Sequence, residues 1–207
     1  MKNLFNLDNP VFRVLARVAD FVILQVLFIL CSLPVFTIGA SITALARVNQ
    51  TIIRDEDDSV VKPFFAAFRS NFKQATPVWL VGFLMIAGIC ADFLLLRAFV
   101  SGTLYTVCLV ILFIFLFIVL GVLSYIFPLM ARYDNTVRQH LQNSMVLFVT
   151  QLPRTILMVF LNISPLLLGL FSMEVMMYTM VFWLFAGFSI ISYLNSYVLK
   201  PVFDGLE

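Results

Sequence analysis

The chain has 207 residues, of which 62% are hydrophobic and 12% charged, with a net charge of +2. Soluble chains carry about 25% charged residues, so this composition excludes a water-soluble globule, which would lack polar side chains to cover its apolar ones. The small net charge excludes a nucleic-acid binder, and a mean hydropathy of +1.05 points to an all-α, polytopic membrane helical bundle forming one domain.

The elements follow in chain order. Asn9 and Pro10 are good helix-start residues before an apolar run over 19–36. They predict a first transmembrane helix over 10–34, with Arg13, Arg17 and Asp20 at its wet end. The basic residues that precede the run are not followed by a small-residue cleavage pattern, so this segment is expected to remain in the mature chain. Leu33, Pro34 and Gly39 then read as a break, with Thr37, Ser41 and Thr43 available to recapture freed backbone groups.

Residues 40–54 read as a return or interfacial helix. Ile42, Leu45, Ala46, Ile52 and Ile53 share one side, and Thr43, Arg47, Gln50 and Arg54 the other. Asn49 falls on the apolar side, which predicts a protein neighbour there rather than lipid. Asp55, Glu56, Asp57 and Asp58 lack the alternating ligands and glycine of a calcium loop and read as a solvated turn.

Residues 63–73 predict a helix lying in the membrane interface. Phe64, Phe65, Phe68 and Phe72 fall in one sector, opposite Lys62, Arg69 and Lys73. Further transmembrane helices are predicted at 77–97, 104–129, 155–171 and 175–199, which makes five with the first. Between the third and fourth, 136–150 reads as another amphipathic interfacial helix. Val137, Leu141, Met145 and Phe148 line one face of it, and either Asn135 or Thr136 can cap it, the latter with Gln139.

Charge orients the bundle. Five simple spans would place the basic N-terminal segment and the basic 37–76 connection on opposite sides. A hairpin or re-entrant segment at the break removes the conflict: every basic residue except Arg97 then lies inside, and both termini are cytoplasmic. Reporters after residues 8 and 57 test this, because opposite locations would exclude the hairpin.

Few residues offer chemistry. There is one histidine, His140, so a multi-histidine metal site is excluded. Cys31, Cys90 and Cys108 lie in apolar runs and read as packed thiols. No hydrolase, nucleotide-binding or metalloprotease motif is present, which predicts a non-enzyme without a cofactor. Asp92 is an intramembrane carboxylate and so a functional candidate, but it lies near the end of its span, where a pair with Arg97 or a cap is expected. Gln25, Ser124, Asn162, Ser164 and Asn195 are neutral polar residues within spans, expected to bond between helices. Asn162 and Ser164 precede Pro165, whose kink is where a cargo site would lie.

The blocks around Pro34, Thr37 and Gly39, then Asn71 and Phe72, then Tyr133, Asp134 and Asn135 resemble the YesL family of bacterial membrane proteins, over about residues 4–199. The resemblance implies a multi-pass protein of the bacterial cell membrane. It also implies an accessory role in carbohydrate uptake beside a sugar-uptake transporter or membrane sensor, and it carries no catalytic residue. The matching blocks, together with Arg69 and Lys73, are expected to cluster on the cytoplasmic side as a partner surface. The alternative is a small-solute transporter acting as a homo-oligomer, for which Asp92 and Asn162 are the candidate intramembrane groups.

Overall fold

The computed structural model describes residues 10–54, 59–171 and 173–205. Among these, every regular element is helical. The order is α1 (Pro10–Ser32), a short 3-10 turn (Val35–Thr37), α2 (Ile38–Arg54), α3 (Val61–Phe99), α4 (Gly102–Arg132), α5 (Val137–Thr150), α6 (Leu152–Phe171), α7 (Met173–Phe182), a wide π turn (Trp183–Gly187) and α8 (Phe188–Asp204). Five stretches are long and apolar enough to cross a bilayer: Val14–Ser32, Val61–Phe99, Gly102–Arg132, Leu152–Gly169 and Met177–Asp204. They are consistent with a multi-pass membrane protein. Asn9, Lys2 and the acidic run 55–58 lie outside the described residues.

The chain reverses between α1 and α2. Thr37 donates its hydroxyl to the carbonyls of Pro34, at 2.6 Å, and Cys31. Ser41 and Thr43 donate to the carbonyls of Thr37 and Gly39. These four-residue back-bonds satisfy hydroxyls that have no water to turn to. Trp79 fastens the turn from outside, its indole N–H donating to the Val35 carbonyl at 2.8 Å.

α2 is the central helix, touching α1, α3, α4 and α8. It runs antiparallel to α3. Gly39, at its start, faces Ala75 and Trp79, while Ile52, near its end, shares a core cluster with Val60 and Phe64. A Cβ on Gly39 would stand 2.6 Å from both the Ala75 carbonyl oxygen and the Trp79 Cβ, so only glycine permits this approach. Both faces of α2 are covered. Asn49 has the expected protein neighbour, donating to the Ser189 carbonyl at 3.4 Å. On the polar side Thr43 and Gln50 are buried, Gln50 donating to the Pro128 carbonyl at 3.2 Å, while Arg47 is exposed and reaches the Ala131 carbonyl at 3.3 Å.

Several boundaries differ from the sequence reading. The interfacial helix expected at 63–73 and the span expected at 77–97 are one helix, α3, continuous through Pro77. Contacts with α2 hold Ala75 and Trp79 on either side of the proline, which keeps the two halves in line. The aromatic face does not point to lipid as a unit. Phe64 is fully buried in the α1–α2–α3 core and Phe68 and Phe72 pack on the bundle, leaving only Phe65 of the four exposed. The helix expected at 175–199 is longer, running over 173–204 with the π turn within it.

In α5 the inward face is mixed. His140, Ser144 and Leu147 are buried, and of the expected apolar stripe Val137 and Phe148 pack on the bundle whereas Leu141 and Met145 are exposed. Thr136, not Asn135, is the cap, and its side chain and that of Gln139 form a reciprocal capping box. α6 runs unbroken through Pro165, because the Ser164 hydroxyl donates at 2.7 Å to the Leu161 carbonyl that proline leaves unpaired. A two-residue link joins α3 to α4, and Gly102 turns it with φ +69°.

Candidate functional site

Three of the polar residues within the spans converge on one place. Asn195 of α8 donates its amide to Asn162 Oδ1 of α6 at 2.7 Å. Asn162 donates to Ser124 Oγ of α4 at 2.9 Å, and Ser124 donates to the Leu120 carbonyl at 2.8 Å. All three residues line a cavity of about 510 Å³ between the α1–α2 turn and helices α3, α4, α6 and α8. Ser32, Ser192 and Ser196 line it too, and its remaining walls are mostly apolar, including Phe28, Ile42 and Phe127. Asn195 Oδ1, Ser196 Oγ and Ser32 Oγ are buried without a hydrogen-bond partner. The relay therefore ends on α4 in a satisfied carbonyl and on α8 in open acceptors. The cavity can hold an uncharged hydrogen-bonding molecule. The sequence singled out Asn162, Asn195 and Ser124 but not their convergence, and it passed over Ser32 and Ser196, which carried no signal beyond being polar.

A second polar arrangement sits beside the first. Gln25 of α1, fully buried, donates to the Trp183 carbonyl and accepts from the Ser189 N–H, both at 2.9 Å. It ties α1 to the π turn, where the regular helical ladder is interrupted.

At one end of the bundle the termini of α2, α4 and α8 meet. Asp204 accepts from Arg54 at 2.8 Å and lies 3.8 Å from Arg132. The Arg132 guanidinium stacks over Phe203 at 5.0 Å and Tyr133 at 5.7 Å, and the Tyr133 ring meets Phe203 edge-on. Asp134 is exposed, and Asn135 donates its backbone N–H to the Tyr133 carbonyl. Nearby His140 is buried with Nδ1 unpartnered. Burial pushes its imidazole below the usual histidine range, against the Asn135 backbone and the Asp134 charge, which favour the proton.

The expected single partner surface is not assembled. Pro34, Thr37 and Gly39 sit at the far end of α2 from Arg54, about 25 Å from the Tyr133 turn by the rise of 17 helical residues. They shape the turn. Asn71 donates to the Ala67 carbonyl at 3.1 Å within its own helix, and Phe72 packs inward. Arg69 and Lys73 are exposed, with Phe65 and Ser70, along the outer side of α3.

Asp92 is separate from Asn162. It is exposed beside a shallow groove with Phe99 and Cys108, and the expected ion pair with Arg97 is not formed. Five residues at 100° each place the two side chains about 140° apart around the helix. Cys31, Cys90 and Cys108 are free thiols.

A family model described as "Protein of unknown function, DUF624" matches residues 21–93. No curated protein and no solved structure matches the chain. The matched stretch runs from within α1, through the turn and all of α2, to the later turns of α3.

Proposed function

We propose that this protein is a non-enzymatic accessory component of the bacterial cell membrane that docks a partner through the outer side of α3. The observation that carries this reading is the length of α3 and the charge of its first turns. Its 39 residues span about 58 Å, well beyond a bilayer core of about 30 Å. With the central cavity at mid-bilayer, the core reaches about ten helical residues either way. Because α3 lines that cavity with Trp79 and Ile86, its turns before about residue 70 stand outside the apolar core, with Lys73 at the edge. Lys62, Phe65, Arg69 and Lys73 form one exposed stripe there, and residues 59–91 contain no acidic side chain.

The same placement makes α1–α2 a re-entrant hairpin, since Ser32 and Ile38 at its turn line the cavity that Asn162 lines midway along α6. Both termini and the basic stripe are then cytoplasmic, as charge bias favours. The resemblance to the YesL family supplies the partner class: a sugar-uptake transporter or membrane sensor with an acidic cytoplasmic surface.

Affinity purification of the tagged protein from its native membranes in mild detergent tests this. A stoichiometric co-eluting transporter or sensor, lost in Arg69→Glu/Lys73→Glu while the variant remains in the membrane fraction, is expected. A homo-oligomer that elutes with no other protein would overturn the docking reading.

A further inference from the structure

We infer that the central cavity is a binding site for an uncharged amphiphile with a hydroxyl-bearing head, a role separate from docking on α3. The inference starts from atoms left without partners. Asn195 is 8% exposed and Ser196 2%, yet Asn195 Oδ1 and Ser196 Oγ have no hydrogen-bond partner. Two adjacent buried residues on an inward helix face are thus unsatisfied, and both line the cavity. Such groups cost stability unless something occupies the space.

The direction of the relay selects the ligand's chemistry. One N–H of each amide in the Asn195–Asn162–Ser124 chain is directed along the relay toward α4, and the Ser124 hydroxyl is spent on a carbonyl. What remains for a ligand is the Asn195 Oδ1 acceptor, the Ser32 and Ser196 hydroxyls, which either accept or donate, and the second N–H of each amide. A hydroxyl group, at once donor and acceptor, answers all of these. The cavity lining contains no Asp, Glu, Lys, Arg or His, so a carboxylate, phosphate or ammonium would enter a low-dielectric space without a counter-charge. The rest of the lining is largely aliphatic and aromatic, which suits an apolar body and disfavours a free polyol. The volume of about 510 Å³ falls within the usual range for small-molecule sites. Asn162 and Phe188 are exposed members of the lining, so the cavity opens on their side of the bundle.

Trp79 lines the cavity and reports on occupancy. In a Trp183→Phe background it is the sole tryptophan. The purified protein in phosphatidylcholine nanodiscs is titrated with 1-(9,10-dibromostearoyl)glycerol, whose bromines quench indole fluorescence. 9,10-Dibromostearate at alkaline pH is the charged comparison. Saturable quenching by the glycerol ester is expected, with only a linear, non-saturating component from the carboxylate. Ser196→Ala should raise the half-saturating mole fraction about tenfold, as expected for loss of a hydrogen-bonding partner. Ala46→Leu fills the cavity from α2 without removing a polar group and should abolish the saturable component, its fold being checked by elution volume and helical circular dichroism. Linear quenching alone in the parent protein would show a cavity filled only by water and overturn the inference. Equal saturation by the carboxylate, or unchanged saturation in a folded Ala46→Leu variant, would overturn it as well.

Discussion

Replacing Gln25 with leucine removes two hydrogen bonds and almost no volume. Gln25 is fully buried, and its amide is the link between α1 and the π turn, donating to Trp183 O and accepting from Ser189 N. Leucine fills a similar space, so the packing loss is small. It leaves a carbonyl and an N–H without this partner at membrane depth. Interhelical hydrogen bonds measured in membranes average about 0.6 kcal/mol and reach about 1.7, so two should cost about 1–3 kcal/mol. Equilibrium unfolding in mixed detergent micelles gives the free energy. Ile23→Leu, an exposed change on the same helix, serves as the control. Amide exchange at Ser189 should quicken in the Gln25 variant, because that N–H loses its acceptor. If Gln25→Leu is as stable as Ile23→Leu and Ser189 exchanges no faster, the π turn satisfies its own backbone and Gln25 does not hold it.

Three further outcomes follow from the packing and charge of the bundle. Gly39→Ala sets a methyl 2.6 Å from the Ala75 carbonyl oxygen and should cost about 1–3 kcal/mol by forcing α2 from α3, whereas Gly88→Ala, with nothing within 4 Å, should be neutral or slightly stabilising in the same unfolding assay. His140 favours its neutral form in the folded chain, so the unfolded chain binds the proton more readily; stability should hold above pH of about 6.5 and fall as pH drops through and below that value, and His140→Gln should remove that part of the slope. Asp204→Asn should destabilise modestly and less in about 1 M salt than in dilute buffer, because Asp204 joins Arg54 and Arg132 at an exposed end of the bundle where ions screen; an effect indifferent to salt would point to packing instead.

Apolar length made the five spans legible in the sequence, and the turn between α1 and α2 was legible because proline, glycine and hydroxyl residues have local meanings. Thr37, Ser41 and Thr43 bond to backbone carbonyls within six residues of themselves, so local sequence was enough to expect backbone partners for them. The misreadings share a cause, which is long-range contact. Pro77 signals a boundary locally, but α2 holds the helix straight across it. The Phe-rich face of 63–73 has the periodicity of a lipid-facing helix, yet periodicity does not say which apolar surface it meets, and Phe64 meets α2. Leu141 and Met145 of α5 are exposed while His140 and Ser144 are buried, because packing against α4 turns the helix by an amount that sequence spacing cannot reveal. Asn195 bonds Asn162 across 33 residues, a pairing with no local trace.

α2 explains why these parts depend on one another. Its Ser41, Thr43, Asn49 and Gln50 are all buried, so as an isolated hairpin with α1 it would present an amide-rich surface to lipid. α3 covers one side through the close approach at Gly39, but it supplies no acceptor for Asn49 or Gln50. Those acceptors are the Ser189 carbonyl of α8 and the Pro128 carbonyl of α4, beyond the segment that the family model matches. Both carbonyls lie within α-helices, so the amides of α2 share acceptors that belong to the ladders of α4 and α8. Those two helices, with α6, also form the polar wall of the cavity. A polar helix inside an apolar bundle thus depends on acceptors from distant parts of the chain, and the space left between those helices is where a ligand can meet polar groups.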